Sequence, residues 1–421
     1  MCEIDILNEM ISKTNTFLWV LYDFANSLVQ IVFFLYFAQW LVVDKGVADI
    51  KFNLAFTASA LMLLLTAPFV GSLLDGRMKR ISGLRVTTLA VVLLYGFCAF
   101  FSLYDQVTPA LICFGAGLYF YLLTFTFYTP LIRDIAEVGK RGFVSGLGIA
   151  GHYVGQFVGL LLALPFSIGI WSFMNADSRA ETLLPSVVAF AIFALPMLIW
   201  FSEPNKKAHD AKPHYSAHKQ VFSETKQLIA VPGLALFLIA YFLFNDAILT
   251  AANNFPIYLE QVWGVSDTVK TYILLGIIVT SAIGGLVSGL VADRMGHKRT
   301  LLFVVFGWIV ILPVMSIAEN LVLFVVVTTV MGFWFGSHWA VSRSVMAYLA
   351  PSRGHNLSFA YFSLVERASS FVGPVFWGLL VGGLTFADGG EYRVTLAALS
   401  AFILLGLVFL IRIPSDRNLR G

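Results

Sequence analysis

Residues Trp19–Gln30, WVLYDFANSLVQ, place Asp23, Asn26, Ser27 and Gln30 inside a run that is otherwise apolar as far as Val43. At helical spacing these positions are i, i+3, i+4 and i+7, so they form one polar stripe. A carboxylate in the apolar part of a bilayer costs roughly 2.5–3.5 kcal/mol on insertion scales. A chain accepts that cost where the stripe faces other helices or a watery cavity. The plainer alternative leaves Asp23 hydrated near the membrane surface, capping neighbouring backbone. The chemistry open to the stripe is proton exchange and hydrogen bonding to a polar solute.

A second stripe carries Asp246, Thr250 and Asn253 at i, i+4 and i+7, flanked by Asn245 and Asn254, with Glu260 towards one end. Asp246 lies ~20 Å into its span at 1.5 Å per residue. There a carboxylate needs a partner or a proton. It is either a proton- or substrate-binding acid or a structural hydrogen-bonding group. Pro256 in the same span is expected to kink it and to help gate the outer side. A third stripe pairs His152 with Gln156 at i and i+4. Histidine can carry a proton near neutral pH; a hydrogen-bonded structural role is the alternative. His338, Trp339, Ser342 and Arg343 cluster in a further run, with Arg343 near its inner end, where it can snorkel. Glu366 needs a cation or a proton, and its neighbour Arg367 does not share its helix face. Tyr128, Trp339 and Tyr361 lie next to these stripes and are the aromatic residues to test as substrate contacts.

The elements that must hold these residues follow from composition. The 421 residues are 59% hydrophobic and 12% charged, against about 25% charged in a soluble domain. Apolar runs of membrane-crossing length recur throughout, and no polar stretch is long enough to bury a core of its own. Twelve spans are expected, at about 17–43, 53–74, 84–104, 109–132, 142–168, 183–202, 233–259, 270–292, 300–317, 321–349, 356–383 and 392–412. With both termini cytoplasmic, only Lys45, Lys51, Arg179, Lys270 and Arg393 of the 27 lysines and arginines fall on the outer side, which matches the positive-inside rule. The N-terminus lacks the basic region and cleavage site of a signal peptide, so the first span is expected to stay in the mature protein. Three cysteines form neither a disulfide framework nor a metal-ligand spacing. Gly146-x-Gly148-x-x-Gly151 matches a dinucleotide fingerprint in form only, since no strand precedes it. Gly151, Gly155 and Gly159 instead give a smooth face for close helix packing.

The longest polar interruption, Ser202–Val231, divides the spans six and six. Its His209, His214 and His218 have no supporting ligands, so a solvated basic linker is expected rather than a metal site. The halves repeat: Gly71–Asp75 follows span 2 as Gly289–Asp293 follows span 8; Arg141-Gly142 opens span 5 as Arg353-Gly354 opens span 11; and Asn26 aligns with Asn245. Near-constant offsets indicate parallel repeats. The expected organisation is a six-helix half over 1–202, a linker over 203–231 and a second six-helix half over 232–421.

The segment Gly289-Leu-Val-Ala-Asp293-Arg294-Met-Gly296-His-Lys298-Arg299 joins a close-packing glycine to an acid and a basic cluster, a combination that can lock two helix ends. The copy running Asp75-Gly-Arg77 is degenerate. With twelve spans divided six and six, the motif resembles the cytoplasmic signature of the major facilitator superfamily, and the resemblance covers the whole chain. The stripes resemble one branch more closely. Tyr22-Asp23-Phe24-Ala25-Asn26-Ser27, Phe127-Tyr128 with Asp134-Ile135-Ala136, Phe244-Asn245-Asp246, Ser342-Arg343-Ser344 and Ser369-Ser370-Phe371-Val372-Gly373-Pro374 look like the vacuole-effluxer-like family of amino-acid exporters and their bacterial relatives. Thr129, His338 and Phe359-Ala360-Tyr361 depart from the pattern, which leaves the substrate open between amino acids and iron chelates, sugars or drugs.

The resemblance implies an all-α membrane protein of the major facilitator fold: an alternating-access secondary transporter of a small polar solute, with amino-acid efflux one reading. It also implies a bacterial inner-membrane location with both termini cytoplasmic. The expected solute and ion site comprises Asp23, Asn26, Gln30, Tyr128, His152, Gln156, Asn245, Asp246, Asn253, His338, Trp339 and Glu366. The expected cytoplasmic gate comprises Asp75, Arg77, Arg133, Asp293, Arg294 and Arg343. No nucleotide-binding motif, metal cluster or nucleophile–base pair is visible, so no cofactor and no enzymatic activity are expected. The expected partners are the solute, protons and the lipid bilayer, with no nucleic acid, and the chain is expected to be a monomer. A non-transporting receptor on the same fold is the remaining alternative.

Overall fold

Backbone that crosses a bilayer must satisfy its own hydrogen bonds, and continuous helices do this within one segment. The computed structural model describes the backbone of residues 2–76, 79–135, 141–203, 231, 233–350 and 355–414. Within these ranges the side chains of 2–12, 67–69, 71–76, 133–134, 141–143, 145, 355–357 and 360 lie outside the description. So do the linker histidines 209, 214 and 218, Arg353-Gly354, Arg77, and the side chains of Asp75 and Arg133. Among the described residues twelve helical segments are long and apolar enough to cross a membrane, and none forms a strand.

The chain forms two compact units, Met1–Val47 with Leu61–Lys212, and Ala48–Ala60 with Pro213–Gly421. The first turns of span 2 (Asp49–Gly76) therefore pack with the second unit.

In the first unit, span 1 begins with Cys2–Val32 and continues through two π-helical turns, Phe33–Phe37 and Trp40–Asp44. Span 3 (Arg80–Leu103) packs along span 4 (Val107–Tyr128), and span 1 along span 5 (Arg141–Ser167) and span 6 (Leu183–Trp200). The π-helical turns face an aromatic core in which Phe33 stacks on Tyr95 at 4.2 Å and Phe37 meets Phe114 at 4.6 Å. The glycine face of span 5 lies against span 1: a Cβ on Gly155 would come within 2.2 Å of the Phe24 carbonyl oxygen.

One end of this unit is tied by charge. Lys45 pairs with Asp105 at 2.7 Å and Asp177 at 2.6 Å, and Arg179 with Asp44 at 2.7 Å. Burial alone would lower the Lys45 pKa, but the two carboxylates outweigh it and raise it above the ordinary 10.5. A raised lysine pKa contributes stability that is fully present below the unfolded value and lost as pH rises through the folded one. The thermal midpoint should therefore fall above roughly pH 10.5, and Lys45→Met should flatten that alkaline limb in a pH series of thermal scans. Beside it, buried Glu181 accepts from the Ser172 hydroxyl at 2.8 Å and from the backbone N–H groups of Phe173, Met174 and Ala176, which fixes the turn between spans 5 and 6.

In the second unit, span 7 (Leu234–Trp263) carries Pro256 without interruption, whereas span 11 is two helices, His355–Ala368 and Gly373–Gly383. Span 11, expected as one span over 356–383, is thus broken, whereas the helix of span 7 runs through Pro256. The local cause is the sequence Ser369-Ser370-Phe371-Val372-Gly373-Pro374. The Ser369 hydroxyl donates back to the Val365 carbonyl at 2.7 Å, closing the first helix. Pro374 cannot donate in a continuous ladder and suits the first turn of the second helix. Span 12 is likewise divided, Gly390–Ala398 and Ser400–Ile411.

Span 8 (Asp267–Met295) packs along span 10 (Leu321–Leu349) through small residues. The Ser281 hydroxyl donates to Gly332 O at 2.9 Å, and Ser337 to Gly284 O at 3.1 Å. At the end of this unit Lys270, with no exposed side-chain surface, pairs with Glu260 and with Asp267 at 2.9 Å. Arg393 donates to Ser316 O at 2.9 Å and lies over the Trp263 ring. Four of the five cations expected on the outer side are thus held by acceptors. Lys270→Met would remove the cation that Glu260 and Asp267 share; with Glu260 a quarter exposed, the loss should be about 2 kcal/mol, read as a lower thermal midpoint.

Candidate functional site

In the first unit the polar stripe of span 1 meets that of span 5. Asp23 Oδ1 lies 3.7 Å from His152 Nδ1. Ser27 donates its hydroxyl to the Asp23 carbonyl at 2.7 Å, and its Oγ also contacts His152 Nδ1. On the other side of the ring, Gln156 Nε2 lies 3.2 Å from His152 Nε2. The stripes fold together because glycines 148, 151 and 155 of span 5 lie against Trp19, Val20 and Phe24 of span 1. Asn26 is fully buried beside the Tyr22 hydroxyl, and neither atom of its amide makes a hydrogen bond of good geometry; Gln30 Oε1 is also buried without one.

Tyr128 is held differently. Its hydroxyl donates to the Trp19 carbonyl at 2.9 Å, the Trp19 indole donates to the Tyr128 carbonyl at 3.3 Å, and the rings stack at 4.8 Å. This reciprocal clasp ties spans 1 and 4 and leaves Tyr128 buried.

In the second unit Asn245 donates through Nδ2 to the Glu366 carbonyl at 3.1 Å, and its Oδ1 lies 2.9 Å from His338 Nε2. The amide geometry makes Nε2 the donor, so His338 Nδ1 carries a lone pair; it is buried with no partner. The Thr250 and Ser342 hydroxyls and the Trp339 indole N–H share that condition. Asn253 is buried in the same span. The Glu366 carboxylate pairs with Arg343 at 3.5 Å, so the cation that Glu366 needs comes from span 10. Asp246 is fully buried and spans the break in span 11: Oδ1 accepts from Phe371 N at 3.0 Å and Oδ2 from Gly373 N at 2.6 Å. These are amide groups at the start of a helix, where a carboxylate is favoured. Asp293 and Arg294 are exposed at the end of span 8 and make no ion pair with each other or with other described residues.

The stripes therefore assemble as two clusters, Asp23, Ser27, His152 and Gln156 in one unit and Asn245, His338, Glu366 and Arg343 in the other. Two features had weaker signals. Asn53 of span 2 exchanges two 2.9 Å hydrogen bonds with Asn254; a lone asparagine in an apolar run was the available sign. The Trp19–Tyr128 clasp uses backbone carbonyls, which leave no trace in residue types.

A family model described as "Vacuole effluxer Atg22 like" matches residues 131–420. The uncharacterized MFS-type transporter YxiO of Bacillus subtilis is 24% identical over 429 residues, 95% of each chain. Autophagy-related protein 22 of Pichia angusta is 26% identical over 296 residues, 59% of this chain and 52% of its own. The crystal structure of a bacterial homolog of the human lysosomal transporter Spinster aligns over 96% of both chains with a TM-score of 0.70 at 13% identity, a likeness of fold. The match over most of the chain and the shared architecture lead to one conclusion: this chain belongs to the vacuole effluxer Atg22-like family and is a multi-pass membrane transporter of the MFS type, not an enzyme.

Proposed function

We propose that the protein is a proton-coupled, alternating-access exporter of a small polar solute, with amino acids the first class to test. The observation that carries this reading is the set of buried polar atoms left without partners inside apolar spans: both amide atoms of Asn26, Gln30 Oε1, Thr250 Oγ1, His338 Nδ1 and Ser342 Oγ. An unpaired buried polar group costs about 1–3 kcal/mol. Buried groups elsewhere, such as the Trp40 and Trp377 indoles and the Ser400 hydroxyl, share that condition; the six atoms named here lie on the polar stripes, where a polar solute would be their partner. The sites proposed for the solute and ion are those named from the sequence, with Asp293, Arg294 and Arg343 at the cytoplasmic gate. The charge distribution supports an inner-membrane protein with both termini cytoplasmic, and we propose that it acts as a monomer.

The test is solute flux in proteoliposomes with an internal pH dye, across amino acids, peptides, sugars and chelates. An amino acid that moves with protons, and whose flux falls at least tenfold in Asn26→Ala, supports the reading. Coupled movement of a sugar or chelate alone would transfer the same mechanism to that class and remove amino acids. Flux of a panel member without any proton movement would overturn the coupling.

A further inference from the structure

We infer that His152 is the group that carries the coupled proton, and that Gln156 is a positioning residue whose amide must turn over each time the proton binds. This rests on the proton-coupled reading above and deepens it. Counting donors and acceptors around the ring leads to it. The single hydroxyl hydrogen of Ser27 is committed to the Asp23 carbonyl at 2.7 Å. Towards His152 the Ser27 oxygen can then only accept, so Nδ1 bears the hydrogen. On the other side Gln156 presents Nε2, a donor without a lone pair to offer. His152 Nε2 must therefore be the acceptor, bare of hydrogen. The contacts describe a neutral imidazole in one defined tautomer.

A proton taken from water at Nε2 places two donors face to face. The conflict is relieved when the Gln156 amide rotates by half a turn and offers its oxygen. The new imidazolium finds Asp23 already 3.7 Å from Nδ1, close enough to stabilise the charge. The return to water reverses both changes, and no other bond is made or broken. The other acids are worse placed to exchange a proton. Both oxygens of fully buried Asp246 are held by backbone N–H groups, and Glu366 faces Arg343. Asp23 and His152 retain 15% and 21% of their side-chain surface, so protein does not seal either of them.

The surroundings hold few competing charges. Span 1 brings Asp23, with Tyr22 one residue before it. Tyr153, on the same helix, lies edge-on to the imidazole at 5.9 Å. Span 6, which also packs on span 5, has no titratable side chain from Leu183 to Trp200. The short helix Ile132–Ile135 carries Arg133 and Asp134, whose side chains lie outside the described residues.

The test is 15N-histidine NMR of the full-length protein in nanodiscs, with the His152 signals assigned by their loss in His152→Gln. The expected spectrum shows the Nδ1–H tautomer at high pH and, through a single midpoint, both ring nitrogens protonated at lower pH. Gln156→Glu, which offers a charged acceptor to Nε2–H, should raise that midpoint by about one unit, a tenfold change in proton affinity. Gln156→Leu, which offers none, should lower it. The pH midpoint of solute flux should move in the same direction in both variants. An Nε2–H tautomer in the unmodified protein, no titration between pH 4.5 and 9, or a midpoint unmoved by Gln156→Glu would each overturn the assignment. The tautomer result requires no variant at Gln156 to fold. Proton-coupled flux with a permanently neutral His152 removes this inference and leaves the transport reading standing. Titration as expected, with solute flux that moves no protons, removes the coupling and with it the carrier role.

Discussion

Gly336→Leu is expected to cost about 3 kcal/mol or more and to abolish a sharp thermal transition in the purified protein. A Cβ at this position would lie 1.8 Å from the Ser281 carbonyl oxygen and 2.6 Å from its carbon. These are backbone atoms of a neighbouring membrane helix and cannot swing aside as a flexible side chain would. The same contact line holds Gly284 against Phe333 and Gly332 against Ile277, so separating the helices at one point strains the whole seam. It would also pull apart the Ser281 and Ser337 hydrogen bonds. Gly289→Ala is the control. Nothing lies within 4 Å of its Cβ, and the gain in helix propensity is at most about 1 kcal/mol. Equal thermal midpoints for Gly336→Leu and Gly289→Ala would show that spans 8 and 10 do not meet through their glycines.

Asp246→Ala should cost about 3 kcal/mol, because it orphans the N–H groups of Phe371 and Gly373, each worth about 1–3 kcal/mol when left buried and unpaired. It also exposes the start of the second helix of span 11 to an uncompensated dipole. The site leaves little room for another arrangement, since a Cβ on Gly373 would come within 2.2 Å of Thr250 Oγ1. Asp246→Asn keeps one acceptor oxygen but turns an amide N–H₂ towards a backbone donor, so an intermediate loss is expected. Thermal scans and proteolysis after residue 368 would report it. Wild-type stability in Asp246→Ala would refute the clamp.

These two expectations differ in how far the sequence foretold them. Asp246 was identified as a mid-span acid that must have a partner or a proton. The partners are backbone N–H groups at the break in span 11, 125 and 127 residues away, and backbone amides are the same in every residue type, so no pattern could name them. The break in span 11 had a local cause in Ser369, Gly373 and Pro374. The helix that carries Pro256 is continuous. A proline in a packed bundle loses one hydrogen bond and keeps its side-chain contacts. The serine–glycine–proline run has a carboxylate ready to satisfy the ends it exposes.

Hydropathy and charge placement were enough to expect twelve spans, and among the described residues twelve helices are long and apolar enough to cross a membrane, because the bilayer core tolerates so few ways of satisfying backbone polar groups. Helical spacing also determined which polar residues share a face: 23, 26, 27 and 30 on span 1, 152 and 156 on span 5. Whether those faces meet was decided only in three dimensions, by glycine contacts that let span 5 approach the backbone of span 1. The protonation pattern of His152 belongs to the tertiary structure in the same way. A histidine has two equivalent choices of tautomer until fixed neighbours offer one acceptor and one donor, and Ser27 and Gln156 come from different spans.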